Sequence, residues 1–259
     1  MAQALDQLFD MEQAKVEAFL ASDFGQNLPE KRQDTLRKST KHWFRRAQKV
    51  NAQLERQGAE IPGDLLRSFD IPYSELLDIQ VKYRTRMLNI IREYARIKTF
   101  MPELMEPPAR RVVSLSPGGC GCADVLTFFG HKVTHFDYLE YDTNIGINQK
   151  LHKALKLRVT HFDGNERPYK LRKSYYDYLT CYQAVNLYGR PEQSGEIIRE
   201  LMLIPKIAGC FVLNPIQKYS EEENAVYEQK TIDDVSQDYD VTVTKCPETQ
   251  MTAMIMRKP

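Results

Sequence analysis

The sequence predicts an α/β protein: a doubly wound, mostly parallel seven-stranded sheet with a C-terminal antiparallel hairpin, preceded by an N-terminal helical region. Three observations predict it. The first part of the chain carries apolar side chains at helical spacing. After the proline-rich stretch MPELMEPPARR, short apolar runs alternate with helical stretches, the pattern of successive β/α units. The tail, DYDVTVTKCPETQMTAMIMRKP, holds two strand-like runs separated by CPETQ, the pattern of a hairpin.

In the first region Leu5, Leu8, Phe9, Val16, Phe19 and Leu20 recur at roughly helical spacing. A second helix is predicted between Pro29, suited to a helix start, and Gly58, suited to a helix end. Leu36, Trp43, Ala47, Val50 and Leu54 share one face of it. A third begins near Ser74, a plausible N-cap, and continues through Leu77, Val81, Leu88, Ile91 and Ala95, with Arg84 breaking the stripe. Pro102, Pro107 and Pro108 then make a stiff connector. This divides the chain into a helical region, 1–105, and an α/β domain, 110–259.

In the second region strands are predicted at 111–116, 132–137, 157–162, 176–182 and 209–214. Helices are predicted at about 123–129, 147–156 and 192–203. No internal repeat interrupts the series.

Composition narrows the function classes. The net charge of +1 carries no whole-chain signature of a nucleic-acid binder. Residues 1–111 hold 19 Lys/Arg against 16 Asp/Glu, and the remainder 17 against 19, so the asymmetry between the halves is mild and does not make the first part a nucleic-acid arm. No apolar run is long enough for a membrane helix, and the first residues lack the basic start and apolar core of a signal peptide, so a cytoplasmic protein is expected. The five cysteines are odd in number and lie mostly in apolar runs. Cys120 and Cys122 have no second close pair, so no metal site is expected.

The stretch VVSLSPGGCGCADVL places a glycine-rich turn between the first strand and its helix. In a doubly wound sheet that turn is where ligands bind, because glycines admit close backbone approach at the helix N-terminus. The second strand, in KVTHFDYLEYD, ends in Asp137, whose two carboxylate oxygens match the two hydroxyl donors of a ribose. The combination points to a nucleoside-containing cofactor; the alternative is a tight turn with Asp137 capping a loop. A dinucleotide is disfavoured because Asp124 stands where its pyrophosphate would bind.

On these residues 110–259 resembles a class I S-adenosylmethionine-dependent methyltransferase. RRVVSLSPGGCG resembles the family's first motif, and VTHFDY its ribose-binding strand end. RVTHFDGN resembles the third strand, and YYDYLTCYQAVNLYGRPEQSGEIIRELMLIPKIAGCFVLNPI the fourth strand, its helix and the turn into the fifth. The resemblance implies S-adenosylmethionine as cofactor and methyl transfer as activity, with an antiparallel seventh strand inserted in the sheet. It implies that Gly118, Gly119 and Gly121 line the methionine end of the cofactor, Asp137 holds the ribose and Asp163 lies beside the adenine, with Ser116 and Tyr182 also among the cofactor-binding residues. Two positions depart from the family pattern: Ser114 stands where an acidic residue is usual, and Ser116 where a glycine is usual. A member of the fold that no longer binds cofactor, serving as a scaffold, is the alternative these serines motivate.

The acceptor is expected past the fourth strand, at Tyr182, Gln183, Asn186 and Tyr188, with a packed aromatic the plain alternative for Tyr182. A small-molecule acceptor is expected ahead of a nucleic acid. No fixed catalytic motif is required, since the chemistry is mainly alignment. Tyr182, His161 and His152 are the candidates for a general base. His131, His135 and His161 otherwise read as core or surface histidines. The basic stretch RKSTKHWFRRAQK spreads Lys38, Lys41, Arg45 and Lys49 along a helix, either as a polyanion contact or lid, or as a solvated face. By the resemblance, residues 1–105 form a lid or a dimerisation element.

Overall fold

The computed structural model describes residues 2–67, 86–115, 121–137, 158–161, 167–182, 193–213 and 220–258. The predicted helix at 147–156 and the Ser74 cap lie outside them, as do residues 116–120 of the glycine turn.

The N-terminal part contains α1 (Ala2–Leu20), α2 (Asp23–Gln26), α3 (Glu30–Arg56), α4 (Gly63–Arg67) and α5 (Arg86–Phe100). Ser22 starts α2 by accepting the Gly25 amide, and Pro29 precedes α3 where its missing N–H costs nothing. α5 carries the predicted stripe of Leu88, Ile91 and Ala95 and runs on to Phe100, where the Met101–Pro102 step ends it.

The sheet holds β1 (Arg111–Leu115), β2 (Lys132–Asp137), β3 (Val159–His161), β4 (Tyr176–Tyr182), β5 (Pro205–Leu213), β6 (Asp240–Lys245) and β7 (Thr252–Arg257). Their order is β3-β2-β1-β4-β5-β7-β6. β1 to β5 are mutually parallel, and β7 lies antiparallel between β5 and β6. This is the expected doubly wound sheet with its closing hairpin, and the inserted antiparallel strand is the one the family resemblance implies. The helices around it are α6 (Gly121–Phe128), α7 (Ser194–Leu201) and α8 (Glu221–Val235).

In the first region the short helices α2 and α4 were not expected, and in the second β5 and α8 differ from the sequence-based expectation. β5 begins at Pro205 and not at residue 209, since proline at a strand's first position forfeits no interior ladder bond. What resembled a turn into the fifth strand is therefore strand already. α8 was not expected, although SEEE carries its start signal: the Ser220 hydroxyl accepts the Glu223 amide, and the Glu223 carboxylate accepts the Ser220 amide.

Strand alternation divides the core into two layers. Val112, Tyr178, Ala208, Cys210, Val212, Ala253 and Ile255 face a layer shared with α3, α5 and α6. Val113, Leu115, Phe136, Leu179, Cys181, Phe211, Met254 and Met256 face a layer shared with α7 and α8. The first layer also takes in Leu5, Ala47 and Leu54, so the N-terminal helices and the sheet bury their apolar faces together.

Candidate cofactor site at the carboxyl edge

The chain leaves β1 for β2 and β3 on one side, then crosses back to β4 and β5 on the other. The strand order therefore reverses between β1 and β4, the point where open α/β sheets form a ligand crevice. Only residues 116–120 separate the end of β1 at Leu115 from the start of α6 at Gly121. The end of β1 and the N-terminus of α6 thus lie at the switch point.

Register brings the expected residues to one level. Leu115 pairs with Phe136 on one side and with Cys181 on the other. Asp137 and Tyr182, each one residue further along than these partners, end β2 and β4. Strand spacing puts their backbones about 10 Å apart. His161 pairs directly with Asp137 and extends the row outward, and Tyr182 pairs with Val212 on the other side. The backbone positions of Asp137, His161 and Tyr182 are described; their side chains are not. Ser116, Gly118, Gly119 and Asp163 lie outside the described residues, as do His152, Gln183, Asn186 and Tyr188.

Beneath the first turn of α6 runs a row of buried polar side chains: His135, Ser114 and Thr180, adjacent in register on three neighbouring strands. Cys210 continues the row on β5. The Thr180 hydroxyl donates to the Val113 carbonyl at 3.5 Å, and lies 3.9 Å from the Cys122 sulfur in the first turn of α6. Ser114 is fully buried, and its hydroxyl has no hydrogen-bond partner. Asp124, also in the first turn of α6, is 3% exposed. A carboxylate at that helix end opposes a phosphate there.

His131 has a structural role. The His131 Nδ1 accepts the Arg110 amide at 3.0 Å, so Nε2 carries the proton and donates to the Leu104 carbonyl at 2.7 Å. That neutral imidazole ties the proline connector to the start of β2. Burial pushes the Cys210 thiol well up, and the Cys246 thiol up as well, so neither is an activated nucleophile. Among the described residues no group of histidine, cysteine or acidic side chains could hold a metal ion. None of their helices is long and apolar enough to cross a membrane.

Sequence reasoning missed the polar row under α6 and a buried ion pair on α5 between Glu93 and Arg96. Helical spacing alone marks those two as solvent-facing charges, and only the packing of α5 against the sheet reveals their burial.

Comparison with known proteins adds a likeness of fold. No protein family and no curated protein matches the chain. Among solved structures, a SAM-dependent methyltransferase from Aquifex aeolicus is similar over 64% of this chain and 93% of its own, at 13% identity and a TM-score of 0.43. The fibrillarin pre-rRNA processing protein of Methanococcus jannaschii is similar over 63% of this chain and 72% of its own, at 13% identity and a TM-score of 0.45. Aeropyrum pernix fibrillarin, solved with natively bound S-adenosyl-L-methionine, is similar over 60% of this chain and 67% of its own, at 12% identity and a TM-score of 0.41.

Proposed function

We propose that this chain binds S-adenosylmethionine at the switch point between β1 and β4 and transfers its methyl group to an acceptor held beyond β4. One observation carries the proposal: Asp137 and Tyr182 stand level with each other at the carboxyl edge, on either side of the end of β1, where the strand order reverses. The buried Asp124 supports a phosphate-free nucleoside over a dinucleotide.

In this reading each residue has a limited task. Gly118, Gly119 and Gly121 admit the amino-acid end close to the backbone, with Ser116 at the mouth of the turn. Asp137 accepts hydrogen bonds from the ribose hydroxyls, and Asp163 borders the adenine. Tyr182 lines the acceptor side. The cofactor supplies an activated methyl on a sulfonium, so the protein's contribution is alignment and, for some acceptors, removal of a proton. Tyr182 and His161 are the residues at this edge suited to that last task.

The test is thermal unfolding with S-adenosylmethionine, S-adenosylhomocysteine and NADH, each in large excess. A ligand at about 100 times its dissociation constant adds about 2.7 kcal/mol. For a chain of this size that raises Tm by about 5 °C or more. A shift with the two sulfur nucleosides and none with NADH is expected. Asp137→Ala should weaken the same binding by about 10- to 100-fold, the effect of losing hydrogen bonds to a charged group; unchanged affinity would remove the ribose assignment. A second reading, a fold retained without its cofactor, is favoured by Ser114, whose partnerless buried hydroxyl occupies the position where the family resemblance implies an acid. No shift with either sulfur nucleoside would favour it.

A further inference from the structure

The helix α3 carries a long run of positive charge. That helix contains nine Lys/Arg and three Asp/Glu in its 27 residues. Residues 35–54 hold no acidic side chain at all. Lys31, Lys38, Arg45, Lys49 and Arg56 are all exposed. At 100° per residue they fall within about 40° of one another, directly opposite the buried Leu36, Ala47 and Leu54. They form a straight ridge about 38 Å long. Its one acidic member is Asp34, which pairs with Lys38 at 3.5 Å. On the α1 flank Arg37 pairs with Glu17, so α1 neutralises that side and leaves the ridge itself. Lys41, His42 and Arg46 stand exposed beside it.

We propose that this ridge is a docking surface for the phosphodiester backbone of a nucleic acid. Three observations select that partner. Five cations spread along the whole ridge exceed the reach of any small anion, whereas a duplex presents a charge about every 1.7 Å of its axis. An anionic membrane is disfavoured because the apolar side of α3 is already spent: Phe44 stacks on Phe9 of α1 at 4.0 Å, and Leu36, Ala47 and Leu54 are in the core. Interfacial helices need that side free. A protein partner is disfavoured because protein interfaces are depleted in lysine and their cores in charge, and three of the five ridge cations are lysines. The large exposed hydrophobics among the described residues, Met11, Leu203, Val226 and Val243, all lie off α3. The charge of the whole chain, +1, hides this local field.

The surface stands independently of the cofactor reading. Nucleic-acid binding without a thermal shift, or a shift without nucleic-acid binding, separates the two.

The test is fluorescence anisotropy with labelled single-stranded RNA, single-stranded DNA and both duplexes, titrated between roughly 50 and 200 mM salt. At least one of them should bind, with log affinity falling against log salt at a slope of about −3 or steeper. The arm that binds most tightly identifies the nucleic acid. Lys38→Gln, Arg45→Gln and Lys49→Gln combined should weaken binding at least about tenfold and flatten the slope by about 3. The single variants Arg45→Gln and Lys49→Gln should each flatten it by about 1, which keeps the test valid if the triple variant folds poorly. Lys132→Gln, Lys206→Gln and Lys230→Gln combined, equal in charge but scattered elsewhere on the surface, should stay within about twofold. No binding to any of the four at low salt overturns the proposal. So does an equal loss in the scattered variant, or capture by phosphatidylserine vesicles in place of nucleic acid.

Discussion

Ser114 is the residue on which the site departs furthest from its family resemblance. It sits mid-strand at the centre of the sheet, fully buried between His135 and Thr180, and its hydroxyl makes no hydrogen bond. A buried hydroxyl without a partner carries its whole desolvation cost. Ser114→Ala is therefore expected to raise the free energy of unfolding by about 1 kcal/mol, measured by urea denaturation with an unchanged m-value. A loss of stability would mean that the hydroxyl is satisfied in solution. That serine replaces the usual acid was legible in the sequence. Its isolation was not, because it depends on α6 closing over the strand.

At the scale of elements, β5 and α7 meet at a glycine. A methyl group on Gly209 would come within 2.6 Å of the Met202 sulfur and 2.7 Å of the Phe211 ring. Both side chains are fully buried, so neither can withdraw freely. Gly209→Ala is expected to cost about 1–3 kcal/mol by overpacking, read as a lower midpoint of chemical denaturation, whereas a neutral result would show that α7 can slide outward. The strands were legible in the sequence. Short strand-like runs bounded by turn and helix signals mark parallel strands, and β1, β2 and β4 start where the predicted runs start. β5 was read short because its opening residues, Pro205 and Lys206, look like a turn. α8 was missed because its pattern is weak: Thr231 and Val235 are its buried residues, and most of the rest faces water. Its capping box was the signal to weigh instead.

The whole molecule is organised around the seam where α5 packs over the sheet. The sequence places a division in the proline connector, and the connector is there, with the short turn Pro102–Leu104 and the His131 contact to Leu104. Composition could not reveal that one apolar layer joins residues from both sides of it. Into that layer α5 also carries Glu93 and Arg96, each 8% exposed and paired with one another. The second carboxylate oxygen of Glu93 accepts no hydrogen bond. Burial raises the Glu93 carboxyl above the ordinary carboxylate value, while Arg96 and then Arg92 pull it back. The sign of its linkage follows. In the unfolded chain Glu93 ionises near about 4.3, and in the folded chain at higher pH. Between the two values the folded state holds the extra proton, so this group's contribution is fully present below the unfolded value and is lost as pH rises through the folded one. Glu93→Gln removes the titration and keeps the shape. The wild type should therefore lose stability relative to Glu93→Gln as pH is raised from about 5 to about 8, measured as the difference between their urea denaturation free energies at each pH. The opposite trend, with the wild type gaining over the variant, would mean that the attraction of Arg96 outweighs burial and that the seam is held by a charged pair.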